Sequence, residues 1–409
     1  MGSGPILWEK KSRMCEDRDV YILGACRTPI GRFLGGLKTL TAPELAAAAI
    51  REAVRRAGVA AGDVEEVILG NAISASLGPA PAKQAAAKAG LAPSAGGVII
   101  NQGAGSGLKA VWHAGQSIRS EDRNIVVAGG MENMSLAPHL LPSMREGGLF
   151  GDLVLKDALV VNGMWCAYGD LPLGAAAEAA AATFGVSRTD QDEFTLRSHV
   201  RAAKAIKNGY FREEIVRVEV PVSEGAKLQF ETDEGPRSDM TRERLAQFPP
   251  AFRKDGTVTA AGASSLSDGA AALVLGSDVA VKEKNLKPLA RVLWTAAIGL
   301  EPEKALAATH TAIDKAAADS GWRMSEVDLF EVHENFAVQP ALVIKELRLD
   351  PDRVNIHGGA LALGDPLGAS GARILVTLIY ALRHRGMKKG IASLSLAGGD
   401  ALAMAVEVV

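Results

Sequence analysis

Apolar residues recur along the chain in two rhythms: short unbroken runs, and longer stretches with helical spacing. Val20 to Ala25 is an apolar run that stops at Arg27-Thr28-Pro29 and is expected to be a strand. Thr41-Ala-Pro-Glu44 has capping-box spacing and precedes an Ala-rich helix that should end at Gly58. Val64 to Gly70 and Asn124 to Ala128 read as further strands. Between those two, Gly105-Ser-Gly107 opens an apolar helix.

The C-terminal third repeats this order. The segment from Ala57 to Val64 aligns with the segment from Ser320 to Val327, and both lead into strands, ending at Gly70-Asn71 and His333-Glu334. Gly105-Ser-Gly107 matches Ala369-Ser-Gly371, and Ala128-Gly-Gly130 matches Ala397-Gly-Gly399. The spacing between partners is nearly constant, about 263–269 residues. Three ordered matches at one spacing predict a duplicated α/β half-domain.

Between the copies, Met131 to about Thr257 has another texture. Met/Gly/Pro-rich loops lead to a helix expected from Ser187-Arg-Thr-Asp190 to Asn208-Gly209, with an N-cap at one end and a glycine at the other. A charged stretch from Glu231 to Arg253 follows. An insertion in a doubled α/β core is expected to cover a ligand site. Met1 to Arg18 is unlike everything after it, lacks the apolar centre of a secretory signal, and is read as an extension.

Composition narrows the function. The chain of 409 residues is 48% hydrophobic and 22% charged, a globular balance long enough for two or three domains. Its 45 basic and 47 acidic residues leave a net charge of −2, which predicts neither a nucleic-acid nor a membrane partner. Cys15, Cys26 and Cys166 lie far apart, in no metal-binding or disulfide pattern, as suits a reducing, cytoplasmic setting. Cys26 and Cys166 read as inert core residues, His113 and His199 as packing or surface groups, and His357 as structural.

Seven motifs in order resemble the thiolases, which make or cleave β-ketoacyl-CoA. They are Arg27-Thr-Pro-Ile-Gly31, Gly129-Gly-Met-Glu-Asn-Met134, Ser187-Arg-Thr-Asp-Gln-Asp192, Lys254-Asp-Gly-Thr-Val-Thr259, Ser267-Asp-Gly-Ala-Ala-Ala272, Asn355-Ile-His-Gly-Gly-Ala360 and Pro366-Leu-Gly-Ala-Ser-Gly-Ala-Arg373. The resemblance spans Val20 to Val409. It implies the α/β thiolase fold: two similar βαβαβαββ halves in five layers, α/β/α/β/α, with an inserted loop domain. The expected division is an extension at 1–19, a first half at 20–130 and 258–285, a loop domain at 131–257, and a second half at 286–409.

The resemblance also implies acyl-CoA and lipid metabolism. It points to a CoA thioester as substrate or ligand, with no tightly bound cofactor and no metal. A homodimer or homotetramer is implied, built through strands near Asn101 and Asn124. By the same likeness Arg237 falls beside the CoA adenine and Ser264 lines the pantetheine channel, while His333 donates to a thioester oxygen or anchors a water.

Three positions depart from the pattern. Ala104 stands where the family carries its nucleophilic Cys, Asp365 where it carries a His, and Ser395 where it carries a second Cys. Alanine cannot hold an acyl group, and a serine hydroxyl is a poor base. Pro172-Leu-Gly174 and Pro302-Glu303-Lys304-Ala305 replace two further family segments. From these identities ordinary thiolase turnover is not expected. Two alternatives follow: non-covalent chemistry on a CoA thioester by His333 and Asp365, or an acyl-CoA-binding or scaffold homologue. A third is a subunit paired with an active partner. Gly105 to Gly107 stays open between helix cap and oxyanion site, and Asp365 between structural and functional use.

Overall fold

The computed structural model describes residues 18–148, 150–222, 225–301, 305–396 and 398–409. Residues 302–304, Ala397, Cys15 and most of the N-terminal extension lie outside them. Nine strands of the main sheet carry the architecture. The first five are β1 (Val20–Arg27), β2 (Glu66–Gly70), β3 (Gly96–Ile100), β4 (Ile125–Asn133) and β5 (Ser267–Ser277). The remainder are β6 (Ala290–Gly299), β7 (Leu329–Val332), β8 (Lys389–Ser395) and β9 (Asp400–Val408).

The duplication appears in the strand order. The first half runs β1-β5-β4-β2-β3 and the second β6-β9-β8-β7, with antiparallel pairs first and parallel pairs at the far edge. The half-sheets join where Val20 to Ile22 pairs with Ala290 to Val292. Even the irregularities repeat: β1 has a bulge between Ile22 and Gly24, and β6 between Val292 and Trp294. Gly58 and Gly321, partners in the sequence repeat, both turn the chain left-handed, at φ 68° and 71°.

Helices complete five layers. Helices α1 (Ala42–Ala57) and α2 (Pro81–Ala89) cover the outer face of the first half-sheet. Helix α3 (Ser106–Arg119) fills the middle layer. The insertion supplies α4 (Leu173–Phe184) and α5 (Arg188–Asn208). Helices α6 (Ala305–Asp319) and α7 (Val338–Leu347) cover the second half-sheet, and α8 (Leu367–Arg385) lies beside α3 at the centre.

This layering explains why the strands look uniformly apolar. In β4, Ile125 and Val127 face α1, whereas Val126 and Ala128 face the central helices. In β9, Ala401, Ala403 and Ala405 face the outer helices, and Leu402, Met404 and Val406 the centre. Both faces are buried, so no polar alternation survives.

The predicted caps are present. The Thr41 N–H donates to the Glu44 carboxylate at 2.9 Å, and the Ser187 N–H to Asp190 at 2.9 Å. Each tethers the first turn of its helix, and Gly58 and Gly209 end those helices. The central helices approach the sheet closely because the contact is lined with glycine. A Cβ on Gly130 would overlap the Gly368 carbonyl, and one on Gly70 would meet the backbone of Ser106 and Gly107. Gly130→Ala should therefore cost at least about 1–3 kcal/mol of unfolding free energy, read by urea denaturation.

Candidate active site

The ends of β7 and β8 and the start of α8 converge on one point. Asn355 fastens the end of β7: its side chain donates to the Val332 carbonyl and to Glu334, both at 2.7 Å, and accepts from the Val332 N–H at 2.8 Å. Glu334 also accepts from Ser198 of α5 at 2.7 Å and from the Leu361 N–H at 3.0 Å. The insertion is thereby tied to the strand end that presents His333.

Asp365 arrives from the other side. It follows Gly364, whose φ of 107° and contact with Ser267 exclude a side chain. Its N–H lies 3.1 Å from both the Ser265 carbonyl and the Ser267 hydroxyl. Its carboxylate meets His333 Nε2 at 2.8 Å and the Ser264 hydroxyl at 3.1 Å, and accepts a short bond from Ser370. Burial pushes Asp365 up, but the charge of His333 and these hydrogen bonds outweigh it and hold the carboxyl below its usual value. A carboxylate only accepts, so His333 carries its proton on Nε2. His333 is fully buried, and its Nδ1 has no partner among the described residues.

The remaining positions join this centre indirectly. Ser395 ends β8 beside the strand that carries His333, and the next residue, Leu396, packs on Gly105 so tightly that a Cβ there would overlap it. Ala104 is thus placed at the head of α3 next to the Ser395–Leu396 turn. Ser106 ties together the turn from Gln102 that leads into α3, accepting from the Gln102 N–H at 2.8 Å and donating to the Gly103 carbonyl at 2.6 Å.

Two cavities lead inward. One of about 290 Å³ is walled by Met134, Trp165, Phe252, Phe336 and Leu367, with Ser264, Ser265, Asn335 and Asp365 among its polar groups. The other, of about 390 Å³, is lined by Arg237, His199, Met240 and Phe248. They share Ala263, Ser265 and Leu266. Arg237 is exposed; its N–H donates to His199 Nδ1 at 3.2 Å. Burial, then the Arg237 charge, brings His199 down to about 4, so it is neutral at pH 7.

Sequence reasoning gave no role to Glu132, although an acid inside an otherwise apolar run was a visible signal. Glu132 is fully buried and accepts from the Asn71 side chain at 2.7 Å and from the N–H groups of Ala72, Gly368 and Ile73 at 2.8, 2.9 and 3.3 Å. It pins the start of α8 to the ends of β2 and β4. Burial raises its pKa from 4.5 to about 7 against the pull of those donors. The folded protein therefore keeps a proton that the unfolded chain releases, and stability falls as pH rises through that window. Between pH 5 and 7.5 the wild type should lose about 2–3 kcal/mol more than Glu132→Gln, read by denaturation at each pH.

Cys26 is buried, donates to the Ala49 carbonyl at 3.1 Å, and is pushed by burial to about 12, which makes it inert. Among the described residues no three His, Cys, Asp or Glu side chains are placed to hold a metal ion, and no helix is long and apolar enough to cross a membrane.

Residues 20–278 match the family of the thiolase N-terminal domain, and residues 286–408 that of the thiolase C-terminal domain. The chain is 46% identical over 391 residues to an acetyl-CoA acetyltransferase of Pseudomonas aeruginosa, covering 95% of this chain and 98% of that one. It is 46% identical over 389 residues to the acetyl-CoA acetyltransferase of Chromobacterium violaceum, covering 95% and 99%. The crystal structure of the Bacillus anthracis acetyl-CoA acetyltransferase superposes with a TM-score of 0.94 at 40% identity, covering 96% and 99%. These likenesses correct one expectation. Ala104, Asp365 and Ser395 had suggested a degenerate site without ordinary turnover, serving non-covalent chemistry, binding, scaffolding or a partner enzyme. Chains this similar over nearly their whole length carry the name of an enzyme, so that reading does not stand. By its two domains, its near full-length relatives and its architecture, the chain belongs to the thiolase family.

Proposed function

We propose that this protein is an acyltransferase that moves an acetyl or other short acyl group between coenzyme A thioesters. One observation carries the reading: the adjoining cavities run from exposed Arg237, past Ser264, to Asp365, behind which lies its buried partner His333. A thioester with an anionic nucleotide end and a long uncharged arm suits a cation at the mouth, apolar walls and an acid–base pair at the end. The name its relatives carry, acetyl-CoA acetyltransferase, supports the same activity.

In this reading Arg237 meets the nucleotide end and Ser264 the arm. His333, held by Asp365, moves the proton that carbon–carbon bond formation or cleavage requires, and Ser395 donates to an oxygen of the substrate. No tightly bound cofactor is needed. The functional division is the first half at 20–130 and 258–285, the loop domain at 131–257 and the second half at 286–409, with 1–19 an extension. The compartment is the cytoplasm, in keeping with Cys26 and Cys166 as free thiols.

The protein is proposed to act as a homodimer or homotetramer. Asn124 enters β4, an interior strand, so the free edge is β3, which ends just before Asn101 and exposes Val98. Light scattering at micromolar concentration should show no monomer.

Activity is tested with purified protein, CoA and acetoacetyl-CoA, following loss of the thioester enolate absorbance. Turnover is expected. CoA binding without turnover of acetoacetyl-CoA would overturn the reading. Arg237→Ala should raise KM about tenfold with little change in kcat, the loss of one charge-assisted contact in the ground and transition states alike.

A further inference from the structure

Gln339 is fully buried near the start of α7, between the ends of β7 and β8 that carry His333 and Ser395. The direction of its side-chain amide follows from two backbone neighbours. The Ser395 N–H, 3.0 Å away, can only donate, and the His333 carbonyl, 3.2 Å away, can only accept. The amide oxygen therefore faces Ser395 and the nitrogen faces His333.

The same oxygen lies 2.9 Å from the Thr309 hydroxyl and 3.2 Å from the Ser395 hydroxyl. A carbonyl oxygen has two lone pairs, so three donors compete for two places. The Ser395 N–H and Thr309 are the nearer two. The Ser395 hydroxyl is left as the third and weakest claimant.

We infer that Gln339, backed by Thr309, is a positioning residue that clamps the ends of β7 and β8 together and frees the Ser395 hydroxyl to donate to a substrate oxygen. Thr309 matters because it occupies the lone pair that would otherwise take the Ser395 proton. The inference rests on the proposed acyl transfer, and it gives Ser395 a partner set that the motif does not display.

Three variants are compared with the wild type by kcat, KM, pH profile and thermal midpoint. Thr309→Val keeps shape and removes the competing donor, so the Ser395 hydroxyl turns to Gln339. Its kcat should fall about fivefold to tenfold at unchanged KM, and Thr309→Ser should restore it. Gln339→Glu sets a carboxylate oxygen against the His333 carbonyl, a repulsion relieved only by protonation. Its kcat should recover toward the wild-type value as pH falls below about 6, a limb the wild type lacks. Absence of turnover in the wild type would overturn the parent reading and this inference together. Wild-type turnover with unchanged kcat and pH profile in Thr309→Val and Gln339→Glu would overturn the inference alone, as would a fall in thermal midpoint with kcat per folded enzyme unaltered.

Discussion

Asp365→Asn is expected to lower kcat about 10²–10³-fold while leaving the fold and KM nearly intact. The amide oxygen still accepts from His333 Nε2, so the ring keeps its place. That oxygen also keeps the bond from Ser370, and the amide nitrogen faces the Ser264 hydroxyl, which rotates to accept, because a hydroxyl both gives and takes a hydrogen bond. What disappears is the negative charge beside the imidazole. Without it, positive charge that develops on the imidazole during proton transfer has no counter-charge in a site where both side chains are buried. The change should also alter acid stability in a stated direction. Asp365 lies below its usual value of 3.8 in the folded protein, so its contribution is present above pH 3.8 and is lost as pH falls through its folded value. The variant should therefore lose less stability than the wild type on acidification. Thioester turnover within threefold of wild type would show that Asp365 is a bystander.

Arg27→Met should cost about 3–5 kcal/mol of unfolding free energy at pH 8, the largest loss foreseen for one side chain. Arg27 is fully buried and donates to Glu214 at 2.6 Å and to both oxygens of Asp233, at 2.7 and 2.9 Å. Its guanidinium also lies over the Phe211 ring, 4.9 Å from the centroid. Methionine fills much of the volume but leaves two carboxylates in the interior with no cation between them. Burial already raises the Glu214 carboxyl, against the pull of Arg27, and losing Arg27 raises it further. The penalty should shrink as pH falls and that carboxyl takes up a proton. Adding Glu214→Gln and Asp233→Asn to the variant should return part of the loss. The consequence reaches the site, because Asp233 also accepts from the Ile30 N–H at 2.8 Å and precedes Arg237 in the same loop. A loss below about 1 kcal/mol by urea denaturation would show that water reaches these carboxylates.

Features closed within a few residues were legible from the chain alone. The capping box at Thr41, the N-cap at Ser187 and the glycines at 58 and 209 were legible because a cap or left-handed turn depends on neighbours three or four positions away. The duplication was legible because it is written in the order of such local signals. Which face of each strand meets which helix was not, since strands buried on both sides lose the two-residue rhythm that would tell. The site was legible only as residue types. His333 and Asp365 are 32 positions apart, Arg27 and its carboxylates 187 and 206, and the Asn71–Glu132 contact 61. Each pairing exists because a strand end and a second strand end, a helix start or a loop are brought to one place by the path of the whole chain. Gln339 shows the limit most clearly. Its amide takes its direction from the backbone of His333 and Ser395, on two neighbouring strands, and no local pattern around residue 339 records either. The identities of Ala104, Asp365 and Ser395 were likewise plain in the sequence, but three side chains do not by themselves decide an activity. Hydrogen-bond geometry, burial and charge act between side chains in space, and only the tertiary structure sets those distances.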